Sequence, residues 1–322
     1  MLILFAKIGE IYMKISIVMS TYNGQKYIYE QMESLFRQER EPDEVLIFDD
    51  CSQDRTNDLI KSFIKKNQLI NWKLIVNKNN KGWRRNFMEG LWQASGDIIM
   101  PCDQDDIWLP NKLKEVEKIF SSNLDVDLLT SNCIAFYEDG HQYIRPQKED
   151  GKTICQKIKL NFFETIYPGC TYAVSRRLVE MSKKYWEKEF PHDAMFWRMA
   201  TYLGTAYSYN KSLIKWRKHS TSTYTIESVA GKSFKKKREW LNYAETALIS
   251  MTNFIYDNHV VDIKMKSAIL NYNRKAIKLR KKFYDKKNPI FGIMLLFYLP
   301  AYPRKRQIIG DWYLVARSLW IK

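Results

Sequence analysis

Short apolar runs alternate with segments of helical periodicity through the first hundred residues. Four runs predict buried strands, at residues 15–19, 44–48, 73–76 and 97–102. The segments between them predict helices, at residues 27–38, 52–66 and 83–94, the second of them capped by Ser52 or Asp54. Strands that alternate with helices indicate an α/β fold with a mostly parallel sheet and right-handed crossovers.

Polar residues cluster where the predicted strands end. They are Ser20, Thr21, Asp49, Asp50, residues 82–86, Asp103 and Asp105. In open α/β sheets ligands bind at the carboxyl ends of the strands, so these residues should line one crevice. Neither G-x-G-x-x-G nor the P-loop pattern occurs, which disfavours both phosphate cradles. Phosphate would therefore meet a metal ion, an Arg or Lys side chain, or a helix N-terminus.

The fourth predicted strand ends in Asp-Gln-Asp-Asp, at residues 103–106. Three carboxylates within four positions can hold a divalent cation that bridges to a diphosphate. A lone pair of aspartates at this place would more often cap the next helix, predicted at 111–120. On spacing alone both roles stay open, with Asp106 or Asn111 as the capping residue.

Composition is that of a globular chain with an uneven charge. Of 322 residues, 45% are hydrophobic and 27% are charged. Five cysteines without a C-x-x-C pair indicate reduced thiols, not a disulfide framework or a zinc site. Residues 1–11 lack the basic start and the cleavage site of a signal peptide. The net charge is +16, and residues 226–322 supply +13 of it, which indicates an anionic partner.

Several motifs together resemble the family 2 glycosyltransferases of the GT-A fold. The matching segments are residues 15–23, 48–54, Gly82 with Asn86 and Gly90, and 94–113, within a span of roughly 14–225. The form Asp-Gln-Asp-Asp-Ile-Trp further resembles bacterial rhamnosyltransferases that build cell-surface polysaccharides. Cys51 stands where the family usually has glycine, so the loop backbone there must accept a side chain.

The resemblance implies a nucleotide-diphosphate sugar as donor and a divalent cation, Mg²⁺ or Mn²⁺, as cofactor. The implied metal ligands are Asp103 and Asp105, with His219 as a third. The implied contacts of the donor are Ser20, Thr21, Tyr22, Asp49, Asp50, Arg85, Asp103, Gln104 and Arg217. Each has a plainer reading: an Asp pair after a strand is often a turn, and surface arginines are often solvated.

The resemblance also implies a catalytic base. An inverting transfer needs one group to take the proton of the acceptor hydroxyl, and Asp193 stands at the family's position for it. The segment 167–175 resembles the family's acceptor side. The alternative role of Asp193 is that of a first-turn residue favoured by the helix dipole.

The basic C-terminal region, residues 226–322, is predicted to be mainly helical. Helical patterns cover 240–283, and a short apolar segment covers 288–302. Prolines at 289, 300 and 303 make this segment too short and too broken to span a bilayer. Two alternatives stay open: the segment lies in a membrane interface, with lysines and arginines on anionic headgroups, or it forms a buried hairpin.

These observations predict a GT-A catalytic domain over 1–225 and a helical lobe over 226–322. The expected activity is inverting transfer of a sugar, with rhamnose as a candidate, to a glycan or lipid-linked saccharide in surface polysaccharide synthesis. The expected location is the cytoplasm, peripheral to the inner face of the membrane, and a homo-oligomer is also compatible with the basic region. The alternatives are an idle anionic-surface or nucleic-acid binding protein, for which no nucleic-acid motif is present, and a nucleotidyltransferase, whose glycine-rich basic loop is missing.

Overall fold

A computed structural model describes residues 12–123, 125–146, 148–188, 190–219 and 233–320. Two predictions concern residues outside these ranges. They are the absence of a signal peptide at residues 1–11 and the domain boundary at residue 225. The strands are β1 (Ile15–Thr21), β2 (Glu44–Asp49), β3 (Trp72–Val76), β4 (Ile98–Asp103), β5 (Ile107–Trp108), β6 (Leu128–Tyr137), β7 (Gln142–Arg145), β8 (Thr153–Cys155), β9 (Ala173–Ser175) and β10 (Ala206–Lys218).

Helices follow each of the first strands and fill the C-terminal region. They are α1 (Ile28–Phe36), α2 (Thr56–Lys66), α3 (Trp83–Gln93), α4 (Lys112–Ser122), α5 (Arg176–Tyr185), α6 (His192–Leu203), α7 (Phe234–Asp257), α8 (Ile263–Lys286), α9 (Pro289–Met294) and α10 (Gln307–Trp320). Short 3₁₀ helices cover Gly169–Thr171 and Leu295–Ala301. Every element predicted from the periodicity is present among the described residues, within a few residues of its predicted ends.

The ten strands form one sheet in the order β3-β2-β1-β4-β9-β6-β10-β5, with β7 beside β6 and β8 beside β10. The four strands predicted from the apolar runs make its parallel half. β9 runs antiparallel to both β4 and β6, so the second half of the sheet is mixed. This mixed α/β sheet, with helices at the C-terminus, confirms the predicted GT-A fold class.

The register of the central strands aligns the polar strand ends. Thr21 is paired with Asp49 across β1 and β2, and Ser20 is paired with Asp103 across β1 and β4. All three strands are buried almost throughout because apolar side chains face helices on both sides of the sheet. The polar residues therefore meet at one edge, as the sequence predicts.

The predicted helix caps are partly wrong. Asn111 precedes α4, but its side chain caps no backbone N–H. Asp106 also leaves that helix uncapped, because its Oδ1 accepts a hydrogen bond from the backbone N–H of Arg217, 2.9 Å away. At α2, Asp54 accepts from the N–H of Thr56 at 3.0 Å, whereas Ser52 binds elsewhere. A long-range contact has thus taken Asp106 from its local helix, whereas the Asn111 amide donates to Glu115 one turn further along α4.

The C-terminal helices pack on the catalytic half through α5 and α6. Helices α7 and α8 bury one apolar face each, and a buried ion pair fixes α10 to α8. Arg280 Nε donates to Asp311 Oδ2 at 2.9 Å, and the hydroxyls of Tyr284 and Tyr302 donate to the same carboxylate. The apolar segment that follows α8 is thus anchored on one side, while its other side is exposed.

Candidate active site

Asp49 closes the loop that follows β2. Its two oxygens accept four hydrogen bonds, from the Thr21 hydroxyl, the Ser52 N–H and hydroxyl, and the Asn57 amide, at 2.5 to 3.0 Å. A carboxylate offers about four acceptor positions, and Asp49 is 0% exposed. This geometry argues against direct contacts of Asp49 and Thr21 with a nucleotide base. Both residues hold the loop in shape.

Asp50 keeps one acceptor position. Its Oδ1 accepts from the Asn77 amide at 3.0 Å and from the Lys81 N–H at 2.8 Å, and its Oδ2 accepts from the Gly82 N–H at 2.8 Å. Three bonds leave one lone pair of Oδ2 available. Cys51, the next residue, has a φ of +68°, the left-handed region that favours glycine. Cys51 thus adopts a backbone conformation that favours glycine, and the loop accommodates its side chain.

Ser20 and Tyr22 offer the most accessible groups at the end of β1. The Ser20 hydroxyl accepts from the Asn86 amide at 2.7 Å and keeps its own proton to donate. Asn86 is 1% exposed and also donates to the Phe48 carbonyl at 2.8 Å, so it fixes this hydroxyl against the sheet. The Tyr22 side chain is 46% exposed and free to lie against a flat ring.

Gln104 joins the loop after β1 to the acidic loop after β4. Its Oε1 accepts from the Tyr22 N–H at 2.9 Å, and its Nε2 donates to the Tyr22 carbonyl at 3.1 Å. A Cβ on Gly24 would lie 2.2 Å from Gln104 Oε1, so glycine is required beside this clamp. Each amide atom makes one of its two possible hydrogen bonds, so Gln104 has a structural role here, and its predicted contact with the donor stays a prediction.

Asp105 and His219 come together from distant parts of the chain. His219 Nε2 lies 2.8 Å from Asp105 Oδ2. The side chain of His219 is 9% exposed and that of Asp105 is 20% exposed. The imidazole of His219 also packs against the Tyr27 ring, with 5.1 Å between the ring centroids. Two of the three predicted metal ligands are thus neighbours at the edge of the crevice.

Arg217 supports the same loop from beneath. Its Nε donates to the Asp105 carbonyl at 2.8 Å, and its guanidinium pairs with Glu30. The guanidinium also packs 4.6 Å from the ring centroids of Tyr27 and Phe136. With its side chain 10% exposed, Arg217 is positioned to hold Asp105, and its predicted contact with a diphosphate stays a prediction.

Negative charge is concentrated beside Asp105 and His219. Burial, then the carboxylates of Asp106 and Asp105, raise the pKa of Asp103 well above its usual range. Burial and Asp105 likewise raise the pKa of Asp106 to about 7. The nearby cation is Lys112, which is 0% exposed, donates to the Cys170 carbonyl at 3.0 Å, and lies 3.8 Å from the centroid of the Trp108 ring.

The acidic cluster fits a divalent cation on the side where Asp103 and Asp105 lie. Asp106 Oδ2 is buried without a hydrogen-bond partner among the described residues, so the acidic cluster is short of positive charge. Atoms of Asp103, Asp106 and Cys170 also lie within 4.8 Å of one another. However, burial raises the pKa of the Cys170 thiol, and Mg²⁺ and Mn²⁺ prefer oxygen ligands. The half-buried Asp103 and Asp105, with His219, are the more accessible set.

Asp193 begins α6 close to the acidic cluster. It stands in the first turn after Pro191, and its Oδ1 accepts from the Ala194 N–H at 2.6 Å. Its charge is one of those that raise the pKa of Asp103, which places the two carboxylates near each other. The predicted base therefore lies within electrostatic range of the acidic loop. A Cβ on Gly169 would lie 2.9 Å from Asp193 Cβ, so the 3₁₀ turn on the acceptor side packs directly against it.

His192 is a site residue to which the sequence assigned no role. It is 5% exposed, and both ring nitrogens lack a hydrogen-bond partner among the described residues. Its ring packs 4.4 Å from the Phe87 ring, and burial lowers its pKa. In the sequence His192 only stands next to the candidate base, Asp193. The fold shows that its imidazole is buried beside Gly169, whose Cβ would lie 2.9 Å from Nε2.

Arg85 lies at the exposed surface of α3. Its Nε pairs with Glu89 Oε1 at 2.6 Å, one turn along the same helix, and its side chain is 49% exposed. Exposed pairs at this spacing contribute only about 0.3–0.5 kcal/mol. The pair can therefore exchange for a phosphate, and the predicted contact of Arg85 stays a prediction.

The mixed sheet and the acidic loop at its strand ends define an α/β protein of the GT-A kind. The family model described as Glycosyl transferase family 2 matches residues 16–186, and the chain belongs to this family. The motif resemblance is thereby confirmed.

Similar proteins carry the same fold and, in part, similar sequences. The dTDP-rhamnosyl transferase RfbG of Shigella flexneri is 31% identical over 171 residues, 52% of this chain and 57% of RfbG. The uncharacterized glycosyltransferase alr2836 of Nostoc sp. is 23% identical over 283 residues, 85% of this chain and 84% of that protein. The crystal structure of S. aureus TarS 1-349 with UDP-GlcNAc has a TM-score of 0.61 at 21% identity and covers 94% of this chain and 81% of that one. This last likeness shows the fold.

Proposed function

We propose that the chain is an inverting glycosyltransferase that moves a sugar from a nucleotide-diphosphate donor to a hydroxyl of a saccharide acceptor. The observation that carries this proposal is the meeting of Asp105 with His219 at 2.8 Å, close to Asp103, whose pKa Asp193 helps to raise. In this proposal a metal-ligand set and a separate carboxylate lie within electrostatic range of each other. In-line displacement at one carbon needs these two functions on opposite sides of the reacting centre.

Asp103, Asp105 and His219 would hold the divalent cation, Mg²⁺ or Mn²⁺. When bound, the cation supplies charge neutralisation to the departing diphosphate. Gln104 and Arg217 serve this set by fixing the loop, through the bonds to Tyr22 and to the Asp105 carbonyl. Arg85 remains a proposed contact of the phosphates.

The nucleotide base binds at the ends of β1 and β2 in this proposal. Asp50 has one acceptor position left, which suits the N3–H of a uracil or thymine ring. Ser20 keeps a hydroxyl proton that can be donated, and the exposed Tyr22 ring can stack on the base. Asp49 and Thr21 shape the loop without touching the base, since their polar groups are bonded to each other.

Asp193 takes the proton of the acceptor hydroxyl while that oxygen bonds to the anomeric carbon and the bond to the diphosphate breaks. A single displacement inverts the configuration at that carbon. The Ala194 N–H donates to one oxygen of Asp193, which turns the carboxylate and leaves the second oxygen for the proton. The acceptor would lie along the 3₁₀ turn at Gly169–Thr171.

The relatives suggest candidate substrates for surface polysaccharide synthesis. RfbG is named a dTDP-rhamnosyl transferase, and the TarS crystal structure contains UDP-GlcNAc. We propose dTDP-rhamnose as the donor, because the sequence match to RfbG extends over 171 residues at 31% identity, whereas that to TarS extends over 105 residues at 35% identity. The proposed acceptor is a glycan or lipid-linked saccharide at the inner face of the cell membrane.

A panel of nucleotide sugars tests the proposal. The purified chain is incubated with dTDP-rhamnose, UDP-GlcNAc and related donors, with Mn²⁺ or Mg²⁺, and hydrolysis and thermal stabilisation are measured. One donor should be hydrolysed, and Asp105→Ala should abolish this activity while Asp139→Ala, at an exposed turn, should not. Full activity of the Asp105→Ala variant in the presence of a chelator would refute the metal site. Salt-dependent DNA binding without hydrolysis of any donor would instead support an idle binding protein.

A further inference from the structure

The segment after α8 exposes a continuous apolar stripe. Ile290, Ile293 and Met294 lie in α9, and Phe297 lies in the 3₁₀ helix that directly continues it. Their exposed fractions are 60%, 55%, 45% and 80%. Leu296, at 51%, lies beside them. Large apolar side chains in such a row mark an interaction surface on a folded chain.

Helix α10 adds to this surface. Ile309 and Tyr313, one turn apart, are 71% and 61% exposed. The two helices touch closely, because a Cβ on Gly292 of α9 would lie 2.3 Å from the indole of Trp312 in α10. The exposed residues of both helices therefore belong to neighbouring elements. We call the set of Ile290, Ile293, Met294, Phe297, Ile309 and Tyr313 the apolar platform.

The opposite side of the same segment is firmly packed. Leu295 and Tyr302 are 0% and 2% exposed, and the hydroxyl of Tyr302 donates to Asp311 at 3.0 Å. The Arg280 guanidinium lies 4.2 Å from the centroid of the Tyr302 ring. The platform is thus held in place by a buried network, and its outward side chains are not the result of a loosely packed segment.

Charge is absent from the platform and concentrated at its borders. Residues 288–303 contain no Asp, Glu, Lys or Arg. Lys286 and Lys287 precede this segment, and Arg304, Lys305 and Arg306 follow it. Among the described residues, no helix is long and apolar enough to cross a membrane. An apolar face bordered by cations suits the boundary between acyl chains and anionic headgroups.

We propose that the apolar platform docks the protein on an anionic lipid bilayer. The apolar side chains enter the headgroup boundary and the bordering cations bind lipid phosphates. A symmetric dimer through the same surface would bring two sets of these cations together, which disfavours a second copy as the occupant. Nucleic acid would use the cations but leave the apolar stripe in water. The proposal does not depend on the reaction proposed above.

Vesicle co-sedimentation with the whole chain tests this proposal. Two vesicle preparations are used, phosphatidylcholine alone and phosphatidylcholine mixed with phosphatidylglycerol. We expect binding to the mixed vesicles that weakens as salt is added and weak binding to phosphatidylcholine alone. Equal binding to both, or none to either, would overturn the proposal.

Matched variants assign the binding to the platform. Phe297→Asp and Ile309→Asp should each weaken binding by about tenfold or more, since an apolar side chain that enters the headgroup boundary is replaced by a charge. Ile70→Asp is the control, because Ile70 is 95% exposed in the turn after α2. Lys305→Gln should weaken binding to the mixed vesicles about fivefold, and Lys61→Gln, exposed on α2, should leave it unchanged.

Two results would contradict the platform as the docking surface. One is loss of vesicle binding by Ile70→Asp to the same extent as by Phe297→Asp. The other is a concentration-dependent dimer, seen by light scattering without lipid, that Phe297→Asp dissociates while vesicle binding is absent. That second result would assign the surface to a contact between copies. Unchanged circular dichroism and melting temperature of each variant show that the fold is retained.

Discussion

His219 Nε2 lies 2.8 Å from Asp105 Oδ2, although 114 positions separate the two residues in the chain. Asp105 follows β4 in the acidic loop, and His219 follows directly on β10. Arg217, two residues before His219, holds the Asp105 carbonyl at 2.8 Å. One strand end thereby fixes the backbone of the acidic loop and brings an imidazole to its carboxylate.

His219→Gln is expected to weaken metal-dependent binding of a nucleoside diphosphate by about 10- to 100-fold, as loss of a metal-supporting group does in other sites. Gln can still hydrogen-bond to Asp105, so the loop should stay folded. The measurement is calorimetric titration of the nucleotide with and without Mn²⁺. His141→Gln, at an exposed turn, is the control. Equal metal dependence in both variants would remove His219 from the ligand set.

Asp193→Asn is expected to lower the turnover number by a factor on the order of 10²–10⁴, because an amide cannot take the proton of the acceptor hydroxyl. The amide oxygen can still accept from the Ala194 N–H, so α6 should keep its start. Donor binding, measured by calorimetry, should therefore change little. Asp58→Asn is a matched control, since Asp58 also stands in the first turn of a helix, α2. Transfer at the parent rate by the Asp193 variant would exclude it as the base.

Local pattern predicted the elements and the strand ends well, because apolar periodicity and turn residues act over short distances. It also predicted which loops converge, since parallel strands end at one edge. It could not separate Asp49 from Asp50. Both follow β2, but only the three-dimensional contacts show four bonds to the first and three to the second.

The same limit of local sequence pattern explains why the contacts of Arg217 and Gln104 could not be predicted. Their residue types suit a phosphate or a sugar, yet their bonding groups meet Glu30, the Asp105 carbonyl and the Tyr22 backbone. Such pairings join residues that are far apart in sequence, and no local spacing encodes them. Likewise, the sequence left open whether the segment 288–302 is buried or exposed, and in the structure its two sides differ.

His192 should make the fold sensitive to acid. Burial lowers its folded-state pKa below the usual 6.5, so below about pH 6.5 the unfolded chain gains a proton that the folded chain does not. The free energy of unfolding should fall as the pH drops from about 6.5 towards the folded-state pKa, by up to about 1.4 kcal/mol per pH unit. It is measured by urea denaturation at several pH values.

His192→Phe should reduce that slope, since Phe retains the packing against Phe87 but does not titrate. His141→Phe should keep the slope of the parent protein, because His141 is exposed. A slope in His192→Phe equal to that of the parent would show that other groups cause the acid sensitivity.

The buried pair of Arg280 and Asp311 should control the stability of the C-terminal helices. Both side chains are at most 2% exposed, and Asp311 also accepts from Tyr284 and Tyr302. Asp311→Ala leaves a buried guanidinium unpaired, so it should lower the free energy of unfolding by about 3–5 kcal/mol. Urea denaturation of the whole chain measures this change. Asp285→Ala, which breaks an exposed pair with Arg238 at 2.7 Å, should cost less than about 1 kcal/mol.

A double variant separates the charge from the packing. Arg280→Met with Asp311→Leu replaces both ions by apolar groups, and such exchanges are often neutral. It should therefore recover most of the stability that Asp311→Ala loses, and it should retain vesicle binding if the apolar platform keeps its position. A double variant as unstable as Asp311→Ala would mean that the hydroxyls of Tyr284 and Tyr302 need the carboxylate. In that case the hydrogen bonds of the network, more than its ion pair, hold α10 against α8.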